Sequence, residues 1–181
     1  QTNIYLFILK HLLFLQDKIG VLSSEYKTIL QDQLHLTNVF LSSTMVETER
    51  YHTKTRSYNP PYKILFCGYM FREKGIFELL KSIPLTLKYE KNVEFIFVGD
   101  GPQLANLKRI TKRLGIEKEV SFVGQKQDNE KYSYYKECHI LVLPSYREGF
   151  PNVICEAMAS GLAIIATKTG GIVDAIEDGV N

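Results

Sequence analysis

The sequence predicts an α/β protein built on a doubly wound parallel sheet, and two observations lead to this prediction. From residue 63 onward, five short apolar runs alternate with segments that carry apolar residues at helical spacing. The runs are apolar throughout, as expected of parallel strands that are covered by helices on both faces. Strands that alternate with helices in this way predict a parallel sheet of the Rossmann type.

The elements of this sheet follow from residue 63 in order. The predicted strands are residues 63–67, 93–98, 120–123, 139–143 and 163–167. The first helix is predicted from Ile76, Leu79, Leu80 and Ile83, which lie three and four residues apart. The second contains Leu104, Leu107 and Leu114 and ends at Gly115. Further helices are predicted at 129–137, 151–160 and 171–177.

The first sixty residues form a different part of the protein. Residues 18–22 and 38–41 are predicted strands, and Ser24 is predicted to cap a helix from Glu25 to about Leu34. A polar stretch at 47–58 precedes Pro60 and Pro61, which is typical of a linker. We therefore predict that residues 1–58 are part of a first domain with its linker, and that 59–181 form a second domain.

Composition excludes several classes of function. The chain has 45% hydrophobic and 23% charged residues and a formal net charge of +2, without the basic stripe of a nucleic-acid reader. Its three cysteines show no disulfide or zinc spacing, which favours a cytoplasmic location. The apolar run near the N-terminus, residues 4–15, is shorter than the roughly 20 residues of a membrane span, so we expect an amphipathic buried helix. We expect the sequence to be a fragment at both ends.

The beginning of the helix near residue 151 has the features of a diphosphate site. Gly149 permits close backbone approach, and Pro151 suits a first helical turn. The amides of Asn152 and Val153 have no partners within the helix and lie at the positive end of its dipole. Glu148 precedes this helix and Glu156 lies within it, so a carboxylate is available on either side for sugar hydroxyls. On spacing alone, two solvated glutamates around an ordinary helix cap explain the pattern equally well.

Two other enzyme classes fit less well. Gly99 and Gly101 follow a strand, but the third glycine of a dinucleotide fingerprint is replaced by Leu104, and a tight turn explains both glycines. A glycosidase needs two carboxyls roughly 5–9 Å apart but has no use for a diphosphate site. The tyrosines at 132, 134 and 135 are predicted to form a partly buried helix face rather than a sugar-stacking surface.

Four motifs in order resemble the retaining glycosyltransferases of family four, which have the GT-B fold. They are Gly68-Tyr-Met-Phe-Arg-Glu-Lys-Gly75, Val98-Gly-Asp-Gly-Pro102, Glu148-Gly-Phe-Pro-Asn-Val-Ile-Cys-Glu156 with Ala-Met-Ala-Ser-Gly161 after it, and Thr169-Gly-Gly171 with Glu177-Asp-Gly-Val-Asn181. The resemblance is close over residues 63–181 and looser over 18–50, which is similar to the end of the family's N-terminal, acceptor-side domain. It implies a GT-B type fold whose second, donor-binding domain is truncated here.

The resemblance also implies roles for individual residues. Glu148 matches the catalytic acid that contacts the donor sugar, and Glu156 matches the acid that holds the ribose hydroxyls. Lys74 matches a lysine that neutralises the diphosphate. The loop that binds sugar and diphosphate corresponds to Gly149, Phe150, Pro151, Asn152 and Val153.

One position departs from the family pattern. The family commonly has arginine directly after the glycine that matches Gly68, and this chain has Tyr69 there. Arg72 lies three residues further on and is the candidate substitute. Loss of a bidentate phosphate donor would weaken binding of the leaving group.

The resemblance implies transfer of a sugar from a nucleoside-diphosphate sugar to an acceptor, with retained configuration, in polysaccharide or glycoconjugate biosynthesis. The expected partners are the donor and an unidentified acceptor, with no cofactor, no metal and no nucleic acid. The protein is expected in the cytoplasm, with peripheral contact at the inner membrane face as a further expectation. Two alternatives stay open: a nucleotide-sugar-binding module without transfer activity, and another GT-B enzyme such as a sugar-nucleotide epimerase. Residues 1–181 alone are expected to show little or no transfer.

Overall fold

The computed structural model describes residues 10–51 and 56–180, apart from the side chain of Asp128. The apolar residues 4–9 and the linker residues 52–55 lie outside this description. The chain falls into two compact units. The small unit comprises residues 1–44, 148–151 and 168–181, and the sheet unit comprises residues 45–147 and 152–167. The domain boundary predicted between residues 58 and 59 stays a prediction.

The small unit contains a parallel pair of strands with a helix between them. Strand β1 (Ile19–Val21) pairs with β2 (Val39–Leu41), and helix α1 (Ser24–Asp32) connects them. Its core consists of Ile19, Leu34, Leu36 and Val39. These elements confirm the strand and helix predictions for this part of the sequence.

Two local predictions for the small unit were wrong. The helix cap is Ser23 rather than Ser24, because Ser23 is the last extended residue and its Oγ accepts a hydrogen bond from the amide of Tyr26. The apolar run is only partly buried where it is described. Leu13 packs on the core, but Leu12 and Phe14 are 56% and 68% exposed, since the helical turn at 10–14 presents only one face to a small core.

The sheet unit is built on five parallel strands. In chain order they are β3 (Tyr62–Cys67), β4 (Val93–Val98), β5 (Val120–Gly124), β6 (Ile140–Leu143) and β7 (Ala163–Ala166). Their order across the sheet is β5-β4-β3-β6-β7. The chain proceeds outward from β3 to β5 and then returns to the other side of β3. This reversal creates a topological switch point between β3 and β6, where ligands bind in open α/β sheets.

Helices connect the strands, as the apolar spacing predicts. After α2 (Thr48–Tyr51), which precedes the sheet, they are α3 (Ile76–Tyr89), α4 (Leu104–Leu114), α5 (Asp128–Glu137) and α6 (Asn152–Ala159). The core between helices and sheet is apolar, with Leu65, Phe97, Leu80 and Leu141 fully buried. All five predicted strands of the sheet are confirmed, with ends that differ by one residue at most.

The described residues of the predicted linker pack more closely against the sheet unit than their polar composition indicates. Tyr51 of α2 is only 4% exposed, and its ring makes edge contacts with Tyr132 and Tyr135 of α5, with centroids 4.7 and 5.4 Å apart. Arg56 donates hydrogen bonds to the carbonyl oxygens of Tyr135 and Ser160, at 2.9 and 2.7 Å. Burial lowers the pKa of Arg56. Because these carbonyls lie near the C-terminal ends of α5 and α6, the guanidinium binds both helices at the ends where a cation is favourable.

Because two thiols are buried, we expect the free energy of unfolding to fall at alkaline pH. Burial raises the pKa of Cys67 from 9.0 to about 11 and that of Cys138 from 9.0 to about 12. Well below pH 9 both thiols are protonated in the folded and unfolded states. Between pH 9 and the folded-state pKa of each thiol, mainly the unfolded chain loses these protons, so the free energy of unfolding falls by up to about 1.4 kcal/mol per pH unit for each thiol.

Urea unfolding at pH 8, 9 and 10 measures this slope. We expect a shallower decline for the Cys67→Ala/Cys138→Ala double variant than for the wild type, whatever the cost of the two cavities at pH 8. Parallel pH dependences of the two proteins would contradict the prediction.

Candidate functional site

The loops that follow β3 and β6 meet at the switch point of the sheet. A short 3₁₀ turn, Arg72–Lys74, follows β3 and ends at Gly75, whose φ is +65°. A Cβ at Gly75 would overlap the carbonyl oxygen of Pro144, so only glycine fits. The amide of Tyr146 donates to the carbonyl of Glu73 at 2.8 Å. The turn that carries Lys74 is therefore held against the loop after β6.

The loop after β4 lies against the same region. A Cβ at Gly99, where φ is +136°, would overlap the carbonyl oxygen of Gly68. The amide of Met70 donates to the carbonyl of Asp100 at 2.8 Å. Gly99 therefore permits a close approach between two loops, which supports the tight-turn interpretation over a dinucleotide fingerprint.

The phosphate partner expected after Gly68 is replaced by an aromatic surface. The ring of Tyr69, 51% exposed, lies 4.5 Å from that of Phe71, centroid to centroid. Arg72 is exposed, and its guanidinium carbon lies 5.9 Å from the centre of the Phe77 ring. The Arg72 guanidinium therefore lies over an aromatic face at the start of α3, and a role for it at the diphosphate stays a prediction.

The acid predicted to hold the ribose is buried. Glu156 lies in the second turn of α6 and is only 4% exposed. Its Oε1 pairs with Nζ of Lys131 on α5 at 2.7 Å. Its Oε2 is buried and accepts no hydrogen bond from the described residues. A carboxylate with one paired and one unpaired oxygen has an acceptor left for a ligand hydroxyl or a water.

A phenol and a thiol lie beside this pair. Tyr135 is fully buried, and its hydroxyl makes no hydrogen bond of ordinary geometry within the described part of the chain. Burial raises the pKa of Tyr135, and the nearby Cys67 and Glu156 raise it further. The phenol is therefore protonated at neutral pH and has a donor to offer close to the carboxylate.

The remaining predicted residues belong to the small unit, with short helix α7 (Ile172–Ala175). The amide of Gly171 donates to the carbonyl of Gly149, and a Cβ at Gly171 would lie 2.5 Å from the ring of Phe150. Glu148 and Pro151 are half-buried. The loop at 148–151 is thereby packed against the glycine pair that precedes α7.

Within the small unit, Asp174 fixes the start of α1. Its carboxylate accepts hydrogen bonds from the amide and the hydroxyl of Ser24, at 2.7 and 2.5 Å. An acid at a helix N-terminus is favoured by the helix dipole. Ser24 thus contributes to the helix start, although it is not the cap.

A polar pocket of about 730 Å³ lies at the carboxyl end of β5, within the sheet unit. Its lining residues come from the loop after β5, the start of α5 and α2: Arg50, Gln125, Lys126, Gln127, Asn129 and Glu130. Arg50 donates to the hydroxyl of Tyr132 at 3.2 Å. The pocket is at the same end of the sheet as Lys74, since all five strands are parallel.

The structure thus groups the predicted site residues in two sets. Tyr69, Arg72, Lys74, Asn152, Val153 and Glu156 belong to the sheet unit, and Glu148, Gly149, Phe150 and Pro151 belong to the small unit. Sequence reasoning missed Lys131, Tyr135 and Cys67 as neighbours of Glu156. No local signal in the sequence pairs Lys131 with Glu156, because the two residues lie on different helices.

Comparison with known proteins identifies the family. The family model described as glycosyl transferases group 1 matches residues 47–181, which is most of the chain. The protein therefore belongs to the group 1 glycosyltransferases. An uncharacterized glycosyltransferase of Haemophilus influenzae is 34% identical over 151 residues, which are 83% of this chain and 41% of that protein. The putative teichuronic acid biosynthesis glycosyltransferase TuaC of Bacillus subtilis is 34% identical over 108 residues, 60% of this chain and 25% of TuaC.

A solved structure has the same fold. The crystal structure of Anabaena HepE in complex with UDP and glucose superimposes with a TM-score of 0.77 at 21% identity, over 91% of this chain and 48% of that one. The chain therefore spans less than half the length of each of these proteins. The predicted GT-B type α/β fold with a parallel, Rossmann-like sheet is confirmed. Among the described residues, no helix is long and apolar enough to cross a membrane.

Proposed function

We propose that this chain is the donor-binding part of a family-four glycosyltransferase that transfers a sugar from a nucleoside-diphosphate sugar with retained configuration. The observation that carries the proposal is the arrangement at the switch point, where Gly75 and Pro144 hold the Lys74 turn against the loop that leads to Glu148. A lysine at that edge would stabilise the negative charge that grows on the departing diphosphate. The free amides at the start of α6 would add to this.

Each predicted residue has one task in this proposal. Glu148 contacts the transferred sugar at the reacting centre, and Glu156 accepts hydrogen bonds from the ribose hydroxyls. The backbone from Gly149 to Val153 binds the sugar and diphosphate, and Tyr69 and Arg72 are the further donor-binding residues. The transfer needs no metal or cofactor, because Lys74 and the helix start balance the diphosphate charge.

The relatives support a role in polysaccharide or glycoconjugate biosynthesis. TuaC is described as a teichuronic acid biosynthesis protein, and a 28% identical Staphylococcus aureus relative as a capsular polysaccharide biosynthesis protein. We place the protein in the cytoplasm, with peripheral contact at the inner membrane face where a lipid-linked acceptor would be presented. The acceptor sites would lie in parts of the relatives that this chain does not span, so residues 1–181 alone are expected to show no transfer.

Thermal stabilisation by nucleoside diphosphates tests the proposal. UDP, GDP, ADP and CDP are added separately to the full-length protein, with inorganic phosphate and the four monophosphates as controls. A ligand present at a hundred times its Kd stabilises the folded state by about 2.7 kcal/mol, which raises Tm by several degrees. We expect one diphosphate to produce such a rise and its monophosphate to produce much less. No rise with any diphosphate at millimolar concentration would contradict the proposal.

Activity assays separate the proposed function from its alternatives. A diphosphate that binds to a full-length protein without any turnover of its sugar donors would indicate a binding module. Conversion of the donor sugar without an acceptor would indicate an epimerase. UDP-glucose is the first donor to assay, because the structure of HepE contains UDP and glucose.

A further inference from the structure

Lys131 makes a close ion pair with the proposed ribose-binding acid. Its Nζ lies 2.7 Å from Oε1 of Glu156, and the two side chains are 21% and 5% exposed. The two residues come from different helices, α5 and α6, which are separated in the chain by β6. A charge-assisted hydrogen bond of this length fixes the orientation of a carboxylate as well as its charge.

The burial of the pair decides how much it matters. An exposed lysine–glutamate pair contributes little to stability, because water competes for both ions. A buried carboxylate that loses its cation is left uncompensated, which is strongly destabilising. Lys131 is therefore the cationic partner of the buried Glu156 carboxyl group inside the sheet unit.

The second carboxylate oxygen of Glu156, Oε2, is available to accept a hydrogen bond from a ligand. Oε2 is buried without a hydrogen-bond partner of ordinary geometry among the described residues, and a buried acceptor left unsatisfied destabilises the fold. A hydroxyl that donates to Oε2 would relieve this destabilisation. Lys131 binds Oε1 and thereby limits rotation of the carboxylate, which leaves Oε2 as the acceptor for the neighbouring Tyr135 phenol or for a ligand hydroxyl.

Tyr135 and Arg56 hold the lysine helix in register. Tyr135 lies one helical turn after Lys131, and its side chain is fully buried beside Cys67 and Glu156. Arg56 binds the carbonyls of Tyr135 and Ser160, which belong to the two helix ends. The distance between Lys131 and Glu156 is thus set by two independent contacts between their helices.

We propose that Lys131 is the positioning residue that makes Glu156 selective for a ribonucleotide, by fixing the carboxylate so that Oε2 accepts a hydrogen bond from a ribose hydroxyl. This inference rests on the proposed function, which assigns the ribose to Glu156. Lys131 itself does not contact the donor. Its removal should therefore weaken binding of a ribonucleotide and have little effect on the corresponding 2′-deoxyribonucleotide, which lacks the 2′-hydroxyl that would donate to Oε2.

The experiment measures Kd in the full-length protein for the diphosphate that binds best among UDP, GDP, ADP and CDP, and for its 2′-deoxy form. The variants are Lys131→Met, Lys131→Arg, Glu156→Gln and the Lys131→Met/Glu156→Gln double variant. Lys63→Met is the matched control, because it breaks a lysine–glutamate pair with Glu137 at 3.2 Å that is 30% and 60% exposed, at the opposite end of β3.

We expect Lys131→Met to weaken the ribonucleotide about tenfold, a change of about 1.4 kcal/mol, and to reduce the preference over the 2′-deoxy form. Lys131→Arg should restore part of the preference. The double variant should bind like Glu156→Gln alone, since residues that act as a pair are not additive. In turnover, Lys131→Met should raise the donor KM with little change in kcat, and Lys63→Met should match the wild type throughout.

Two results would overturn the inference while the proposed function stands. One is a Lys131→Met variant that keeps the wild-type preference for the ribonucleotide, although Glu156→Gln has lost it. The other applies if Lys131→Met does not fold: a double variant that binds about tenfold more weakly than Glu156→Gln would show that Lys131 acts independently of the acid. If Glu156→Gln itself keeps the full preference, the assignment of Glu156 to the ribose fails.

Discussion

Replacing Glu148 with alanine is expected to lower kcat for sugar transfer about a thousandfold in the full-length protein, with little change in nucleoside-diphosphate affinity. The reason is that this acid is assigned to the transferred sugar, where charge develops in the transition state, and not to the nucleotide. Loss of an interaction that is made only in the transition state lowers kcat. Loss of an interaction that is made equally with the bound substrate lowers only the affinity.

Glu148 and Glu156 are expected to affect different steps. Glu156→Gln should weaken binding of the nucleotide, and Glu148→Ala should leave it within about twofold while transfer is lost. Glu117→Ala is a suitable control, because Glu117 is an exposed acid in the loop after α4. Initial rates with a radiolabelled donor and isothermal titration with the diphosphate measure the two effects. Wild-type turnover by Glu148→Ala would refute its catalytic role.

Replacing Gly75 with alanine is expected to destabilise the protein by about 3–5 kcal/mol, because two costs add. Its φ of +65° is unfavourable for a residue with a Cβ, at about 1–2 kcal/mol, and the new Cβ would overlap the carbonyl oxygen of Pro144. The loops after β3 and β6 would have to separate. Lys74 would move with them, so donor affinity should fall together with stability.

Gly115 provides a matched control for this effect. Its φ is +67°, almost the same as that of Gly75, but apart from its neighbours in the chain no atom of the described residues lies within 4 Å of the position of its Cβ. Gly115→Ala should therefore cost only the conformational term, about 1–2 kcal/mol, and leave donor affinity unchanged. Urea unfolding of both variants measures the difference. Equal destabilisation by the two substitutions would show that the contact between Gly75 and Pro144 is unimportant.

If both predictions hold, the two halves of the proposed site are separable. The Lys74 turn would depend on backbone packing between the loops after β3 and β6, and Glu148 would depend on its own carboxylate. The departure at Tyr69 can then be tested in isolation. A Tyr69→Arg variant that binds the diphosphate more tightly would support the view that the phosphate partner is missing from this chain.

Local sequence patterns were sufficient to predict the fold class and the positions of its strands and helices. Apolar runs of four to six residues predicted the strands of the sheet unit, because a parallel strand is buried on both faces. Helical spacing of apolar residues predicted the helices, because each helix buries one face. Gly115 ends its helix as predicted, in the left-handed conformation that favours glycine. The sequence also pointed to the carboxyl ends of the strands as the place for a site, since this is a property of parallel sheets.

Tertiary structure decided the surroundings of the acids. The spacing of Glu148 and Glu156 predicted two accessible carboxylates, but Glu156 is buried, paired with Lys131 and close to Tyr135 and Cys67. A lysine 25 residues away carries no local signal of such a pair, because its partner is set by how two helices pack and not by helix periodicity. The contacts of Arg56 were likewise not predictable, because a polar residue in a polar segment is expected to be solvated. In the structure its guanidinium donates hydrogen bonds to three carbonyl oxygens at the ends of α5 and α6.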